Sequence, residues 1–182
     1  MKKIKKITVG GLMIALATAL SFFGIKMPFG GSMTLGSMVP IIAISYIFDF
    51  KFSLTVGFAY SLLQMVCDFS PPPVQDFSSF FAVIMIDYII AFTSLGLAGQ
   101  LSSKIKNIKL RYVSGTAAVI VIRFLCHFLS GILIWSFYAP EGQSPLIYSL
   151  LYNGAYMGGE LILTTVLMCF LATTIQELKT KL

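Results

Sequence analysis

Long apolar blocks almost free of charge dominate this sequence, and they decide the solvent in which it can fold. They cover approximately residues 8–25, 36–48, 52–67, 79–98, 112–137 and 148–176. A buried helix of a soluble protein carries an apolar stripe, whereas a helix facing lipid is apolar all round. Only 11% of the 182 residues are charged and 57% are hydrophobic, against about 25% charged in ordinary soluble domains. That leaves too little polar surface to wrap a water-soluble globule. No block alternates apolar and polar residues as the wall of a β-barrel must. The expectation is an all-α integral membrane protein, a single transmembrane domain over 1–182 with six transmembrane helices in one bundle. The second and third blocks are short for a hydrocarbon core of about 30 Å; thinning of the membrane or flanking residues would have to complete them.

The basic residues orient the bundle. Lys2, Lys3, Lys5 and Lys6 precede the first block, and Lys51 separates the second from the third. Lys104, Lys106, Lys109 and Arg111 lie between the fourth and fifth, and Lys179 and Lys181 close the chain. Eleven of the thirteen basic residues thus fall on one side; Lys26 is in a loop on the other, and Arg123 is inside the fifth block. Basic loops stay in the cytoplasm, so both termini are expected inside. The net charge of +6 then reflects topology, and no base-reading face accompanies it to suggest nucleic acid. The N-terminus, with Ala17-Thr18-Ala19 after basic and apolar residues, also has features of a cleaved signal. The apolar run continues to Phe23, however, and retention as the first helix is the expectation.

Cys67, Cys126 and Cys169 show no Cys-x-x-Cys spacing, so neither a disulfide framework nor a metal site is expected. No cofactor is called for. No Gly-x-x-x-x-Gly-Lys phosphate loop is present, so ATP hydrolysis would have to come from another chain.

Polar groups inside the blocks carry the functional information, because an ionisable residue at mid-bilayer costs at least about 2.5–3.5 kcal/mol. Asp87 lies in the fourth block, Arg123 and His127 in the fifth, and Asn153 and Glu160 in the sixth. At 1.5 Å per helical residue, Asp87, His127 and Asn153 all come out roughly 9–15 Å below the outer surface. Arg123, His127, Gly131 and Trp135 recur every four residues and would share one helical face, drifting by about 40° per step. Gly131 would leave room there for a ligand or a neighbouring backbone. Asn153, Tyr156, Met157 and Glu160 share a face of the sixth helix. A membrane His beside an Asp can be a packing pair, and Trp135 and Tyr148 at the rim can be interfacial anchors. Together they favour a pocket for a flat, cationic or electron-poor heterocycle, with carboxylate and aromatic rings supplying counter-charge and cation–π contact. Arg123 could neutralise Asp87 in the empty site or hold a polar substituent. Glu160 lies deeper, has no evident partner, and is read as structural.

The run Ile122-Arg123-Phe124-Leu125-Cys126-His127-Phe128-Leu129-Ser130-Gly131 resembles the thiamine-specific substrate-binding subunits (S components) of energy-coupling factor transporters. So do Trp135, Tyr138-Ala139-Pro140-Glu141-Gly142, Tyr148-Ser149-Leu150 and Tyr152-Asn153-Gly154-Ala155-Tyr156-Met157. Asp87-Tyr88 with Ala91-Phe92, and Gly30-Gly31-Ser32 leading to Met38-Val39-Pro40, extend the likeness over nearly the whole chain. The resemblance implies a thiamine pocket built by the fourth, fifth and sixth helices under the first external loop. Its contacts would fall on Asp87, Tyr88, Arg123, His127, Gly131, Trp135, Tyr148 and Asn153. Some relatives carry Glu where Asp87 stands and Lys where Arg123 stands, which keeps the charge and changes the reach. Some place Trp in the first external loop, where this chain offers Phe29. The resemblance also implies partners, a membrane scaffold subunit and two ATPases. Gly11, Ala15 and Ala19 form a small-residue ridge on the first helix suited to docking on the scaffold.

Two rival functions fit the sequence less well. A stand-alone secondary transporter of a cationic heterocycle would usually carry internal repeats and broken helices, and the chain is short and shows no repeat. An intramembrane hydrolase could use His127, the only histidine, with Ser130, but neither an orienting acid nor an oxyanion hole is evident. The chain is therefore expected not to be an enzyme.

Overall fold

The computed structural model describes residues 3–27 and 31–182. Lys2, Phe29 and Gly30, named above, lie outside the described residues. Among these residues the chain is mostly helical. The helices are α1 (Lys3–Ser21), α2 (Met38–Ile47), α3 (Phe50–Cys67), α4 (Phe77–Leu101), α5 (Ile108–Leu133) and α6 (Pro145–Lys181). Five of these are long and apolar enough to cross a membrane; α2, with ten residues, is shorter.

Local chemistry starts most of these helices. Asp49, Asp76 and Asn107 each accept a hydrogen bond from the backbone N–H three residues on, at 3.1, 2.9 and 3.0 Å. Such caps satisfy N–H groups that have no partner within the helix. Helix α6 begins with Pro145 after Ser144, where the missing N–H costs nothing.

Helix α2 explains the shortness of the second apolar block. Met38, Ile41, Ile42 and Ile44 are fully buried, so the block is apolar because it fills the bundle core. At about 15 Å it is half the length a hydrocarbon core demands. The chain is also not purely helical. Two short strands, β1 (Gly24–Lys26) and β2 (Ser32–Thr34), pair antiparallel with Ile25 opposite Met33. Three-residue strands are too short to display a period-two pattern in the sequence.

Helix α4 is regular only at its ends. Val83–Ile90 winds as a π-helix and Ser94–Leu97 as a 3-10 turn. Asp87 and Tyr88 sit inside the π-helical stretch, a geometry often found at functional sites. Helices α5 and α6 form the most extensive pairing in the bundle.

One end of the bundle gathers the basic segments. Lys6 of α1 pairs with Asp49 at the α2–α3 junction, and Asp49, Arg111 and Lys179 line one small cavity there. The Lys6 ammonium and the Phe52 N–H hold the Asp49 carboxyl below the usual carboxylate range. A lowered folded value stabilises the protein above the ordinary aspartate pKa of about 4, and that stabilisation is lost as pH falls through the lowered value. Asp49→Ala is expected to cost about 1 kcal/mol, nearly all of it from the cap, because exposed ion pairs contribute little. Thermal melts of Asp49→Ala beside Lys6→Ala check this: an equal loss in both would move the credit to the ion pair.

Candidate functional site

At the opposite end from the basic cluster lies a cavity of about 650 Å³, within the usual range for small-molecule sites. The hairpin, the start of α2, the end of α3, and helices α4, α5 and α6 all contribute to its walls. All eight residues named as candidate contacts, Asp87, Tyr88, Arg123, His127, Gly131, Trp135, Tyr148 and Asn153, line it.

Asp87 organises one wall. Its Oδ2 accepts from Ser130 Oγ at 2.5 Å and from Trp135 Nε1 at 2.9 Å, and its Oδ1 faces His127 Nδ1 at 2.9 Å. A carboxylate only accepts, so Nδ1 carries a proton, and in the neutral ring Nε2 is then an acceptor. Nε2 is buried and has no partner. Ser130, His127 and an acid thus do meet, but the hydroxyl and the ring both donate to Asp87. The imidazole does not receive the serine proton, so this is not a nucleophile–base pair.

Three expectations change in detail. Helix α5 ends at Leu133, and Ile134 leaves helical geometry at φ −122°. Trp135 therefore opens a 3-10 turn, Trp135–Tyr138, and does not continue the face of Arg123, His127 and Gly131. The turn carries its indole back over the cavity, where it stacks on Tyr138 with centroids 6.4 Å apart. Arg123 forms no direct ion pair with Asp87: its Nη1 lies 2.8 Å from Met38 Sδ and its guanidinium 4.3 Å from the Phe92 ring centroid. Gly131, left open above between ligand and backbone, faces the side chains of α6. A Cβ there would collide with Ser149 Oγ and Asn153 Nδ2.

Asn153 locks that close approach. Its Nδ2 donates to His127 O and Ser149 O, both at 3.1 Å, and its Oδ1 accepts from Tyr156 at 3.0 Å. Tyr88 serves a loop as well as the cavity, since its hydroxyl donates to Asp68 O at 2.7 Å and accepts from Ser70 N at 2.9 Å. Tyr148 packs on Tyr152, and Tyr152 on Tyr156, with centroids 5.9 and 6.1 Å apart. The spacing of four that builds this ladder is visible in the sequence, although Tyr152 was not singled out.

Glu160 was read as lacking a partner, and it has one. Its Oε1 accepts from Thr34 N at 2.6 Å and Thr34 Oγ1 at 2.7 Å. The bond joins α6 to β2 across 126 residues, a separation at which no local pattern could announce it.

The profile of the family described as Thiamine transporter protein (Thia_YuaJ) matches residues 7–180. The chain is 29% identical over 191 residues to the thiamine transporter ThiT of Bacillus subtilis (strain 168), covering 97% of this chain and 95% of that protein. It is 32% identical over 103 residues to the thiamine transporter ThiT of Lacticaseibacillus paracasei, covering 52% of this chain and 51% of that one. A solved structure of ThiT from Listeria monocytogenes superposes with a TM-score of 0.78 at 23% identity, covering 98% and 99% of the two chains. At that identity the likeness is one of fold. Several apolar helices together with these relatives identify a multi-pass membrane protein and a transporter component rather than an enzyme. The chain belongs to the thiamine transporter protein family.

Proposed function

We propose that this chain is the thiamine-binding subunit of an ATP-driven importer of the energy-coupling factor type. It captures thiamine from outside the cell and delivers it with a scaffold subunit and two ATPases. One observation carries the reading: an acidic group, Asp87, held by three donors in the wall of a ligand-sized cavity that is otherwise rich in aromatic rings. Such a wall suits a flat cation. In this reading Asp87 supplies counter-charge, Trp135 and the Tyr148 ladder supply stacking surface, and His127 and Arg123 supply polar contacts. Tyr88, Gly131 and Asn153 shape the wall.

Both termini lie in the cytoplasm of a bacterial plasma membrane in this proposal. Lys3, Lys5 and Lys6 begin α1 while Lys179 and Lys181 end α6, and basic ends on one side require an even number of crossings. Helix α2, extended by its flanking residues, is then the sixth span. The pairing of Lys6 with Asp49 supports this, since it ties the start of α1 to the end of α2. Docking on the scaffold is assigned to Gly11, Ala15 and Ala19, all exposed on α1, with no atom within 4 Å of a Cβ built at Gly11.

Titrating the purified protein with thiamine should quench the fluorescence of Trp135, its one tryptophan, saturably and at low ligand concentration. Folded protein that gives no saturable signal, and no heat by calorimetry, refutes the thiamine reading. Vesicles holding this chain alone should show no uptake, and uptake should return with scaffold and ATPases. Transport by the chain alone would favour a stand-alone secondary transporter.

A further inference from the structure

The deep end of the cavity holds a second carboxylate. Glu160 is 2% exposed, lines the cavity, and has one oxygen, Oε2, without a partner. Both groups that bind its other oxygen, Thr34 N–H and Thr34 O–H, are donors. Two donors converging on one oxygen are the partners a carboxylate accepts.

Three intramembrane groups then set the charge of the cavity. Among the described lining residues Asp87 and Glu160 are acidic, and Arg123 is the one cation. His127 faces Asp87 through Nδ1, and a neutral imidazole, the ordinary form of histidine at neutral pH, adds no charge. Two carboxylates against one guanidinium leave a single net negative charge in a cavity walled by apolar helices. Without Glu160, Asp87 and Arg123 would cancel. At the rim Asp68 adds a further acidic group, but it is exposed and screened by solvent.

We propose that Glu160 is a specificity-determining residue: it gives the cavity the charge that suits a monocation and opposes the same molecule carrying a phosphate. The inference rests on the thiamine reading above and deepens it. Thiamine carries one positive charge from its thiazolium, and its phosphate ester is net anionic. At an effective dielectric of about 20, one unit charge some 10 Å away changes affinity on the order of tenfold per unit of ligand charge. Direct contact with Glu160 is not required, because the effect acts through the field in a poorly screened site.

The test compares calorimetric Kd values for thiamine and thiamine monophosphate in wild type, Glu160→Gln, Glu160→Asp and Thr34→Val. Glutamine keeps an oxygen for Thr34 and removes the charge. The ratio of the two Kd values should narrow at least about tenfold in Glu160→Gln, and stay near wild type in Glu160→Asp and Thr34→Val. Glu160→Met, similar in length and uncharged, takes the place of glutamine if that variant does not fold. Tight thiamine binding with an unchanged ratio in the uncharged variant overturns the inference and leaves the proposed function standing. A narrowing in Thr34→Val equal to that in Glu160→Gln also overturns it, because the effect would then come from the hairpin contact. Wild-type protein that is folded and binds neither compound overturns the proposed function itself.

Discussion

Asp87→Asn is expected to raise the Kd for thiamine about a hundredfold. The carboxylate receives three hydrogen bonds within the protein, and bonds to a charged group are worth about 1.5–3 kcal/mol each. An amide has the same shape but one acceptor oxygen. Its NH2 must face either His127 Nδ1 or the donors of Ser130 and Trp135, and the counter-charge for the ligand is gone. The loss of one such bond and of part of the Coulomb attraction comes to about 2.7 kcal/mol. Asp87→Ala should do more damage, stranding the buried Ser130 hydroxyl and the partly buried His127 and Trp135 donors, and lowering stability by about 3–5 kcal/mol. Asp87→Glu keeps the charge and should retain most binding. Calorimetric titration of the three variants, each first shown to be folded, separates these outcomes. An unchanged Kd in Asp87→Asn would mean that the ligand does not sense this carboxylate.

Gly99→Ala is expected to cost stability rather than binding, by about 3 kcal/mol or more, at the upper end of overpacking penalties. A Cβ at Gly99 would collide with the backbone carbonyl of Ser45 on α2. A flexible side chain could give way, but a helical backbone cannot shift without moving its neighbours. The same residue donates its N–H to Ser45 Oγ at 2.9 Å, and that bond would be stretched as the helices parted. The unfolding midpoint in detergent should fall by on the order of 10 °C. Gly154→Ala is the control, since nothing lies within 4 Å of a Cβ built there, and helix propensity alone should make it neutral or slightly stabilising. Equal behaviour of the two variants would mean that α2 and α4 are not held this closely.

The helical architecture could be read from the sequence because lipid imposes one rule on every spanning segment, and the apolar blocks obey it. The charges gave no such direct access to contacts. Asp87, His127 and Asn153 were each conspicuous as polar residues in apolar surroundings, and similar depth suggested that they meet. Which atoms bond could not be read, because that depends on how each helix is rotated. Trp135 illustrates the limit. A spacing of four assigned it to the face of His127, yet the helix stops two residues earlier, and the indole reaches Asp87 by a turn. Arg123 is similar: charge alone pairs it with Asp87, whereas geometry gives it Phe92 and Met38. Glu160 was misread because its partner, Thr34, lies in a hairpin that leaves no periodic trace.

The π-helical stretch at Val83–Ile90 has a bearing on how this chain can change. A wide turn of this kind holds more residues than an α-turn, so the two ends of α4 are set in different angular registers. Asp87, within the wide stretch, faces α5, and the part downstream directs Gly99 toward α2. Each register answers to a separate neighbour, and the wide turn is the joint between them. Deleting a single residue there would draw the turn toward α geometry and change how Asp87 is rotated relative to Gly99, so that the acidic wall and the close helix contact could no longer both be met. Insertions and deletions at this joint, more than substitutions, are therefore the events that would separate ligand recognition from bundle packing in its descendants.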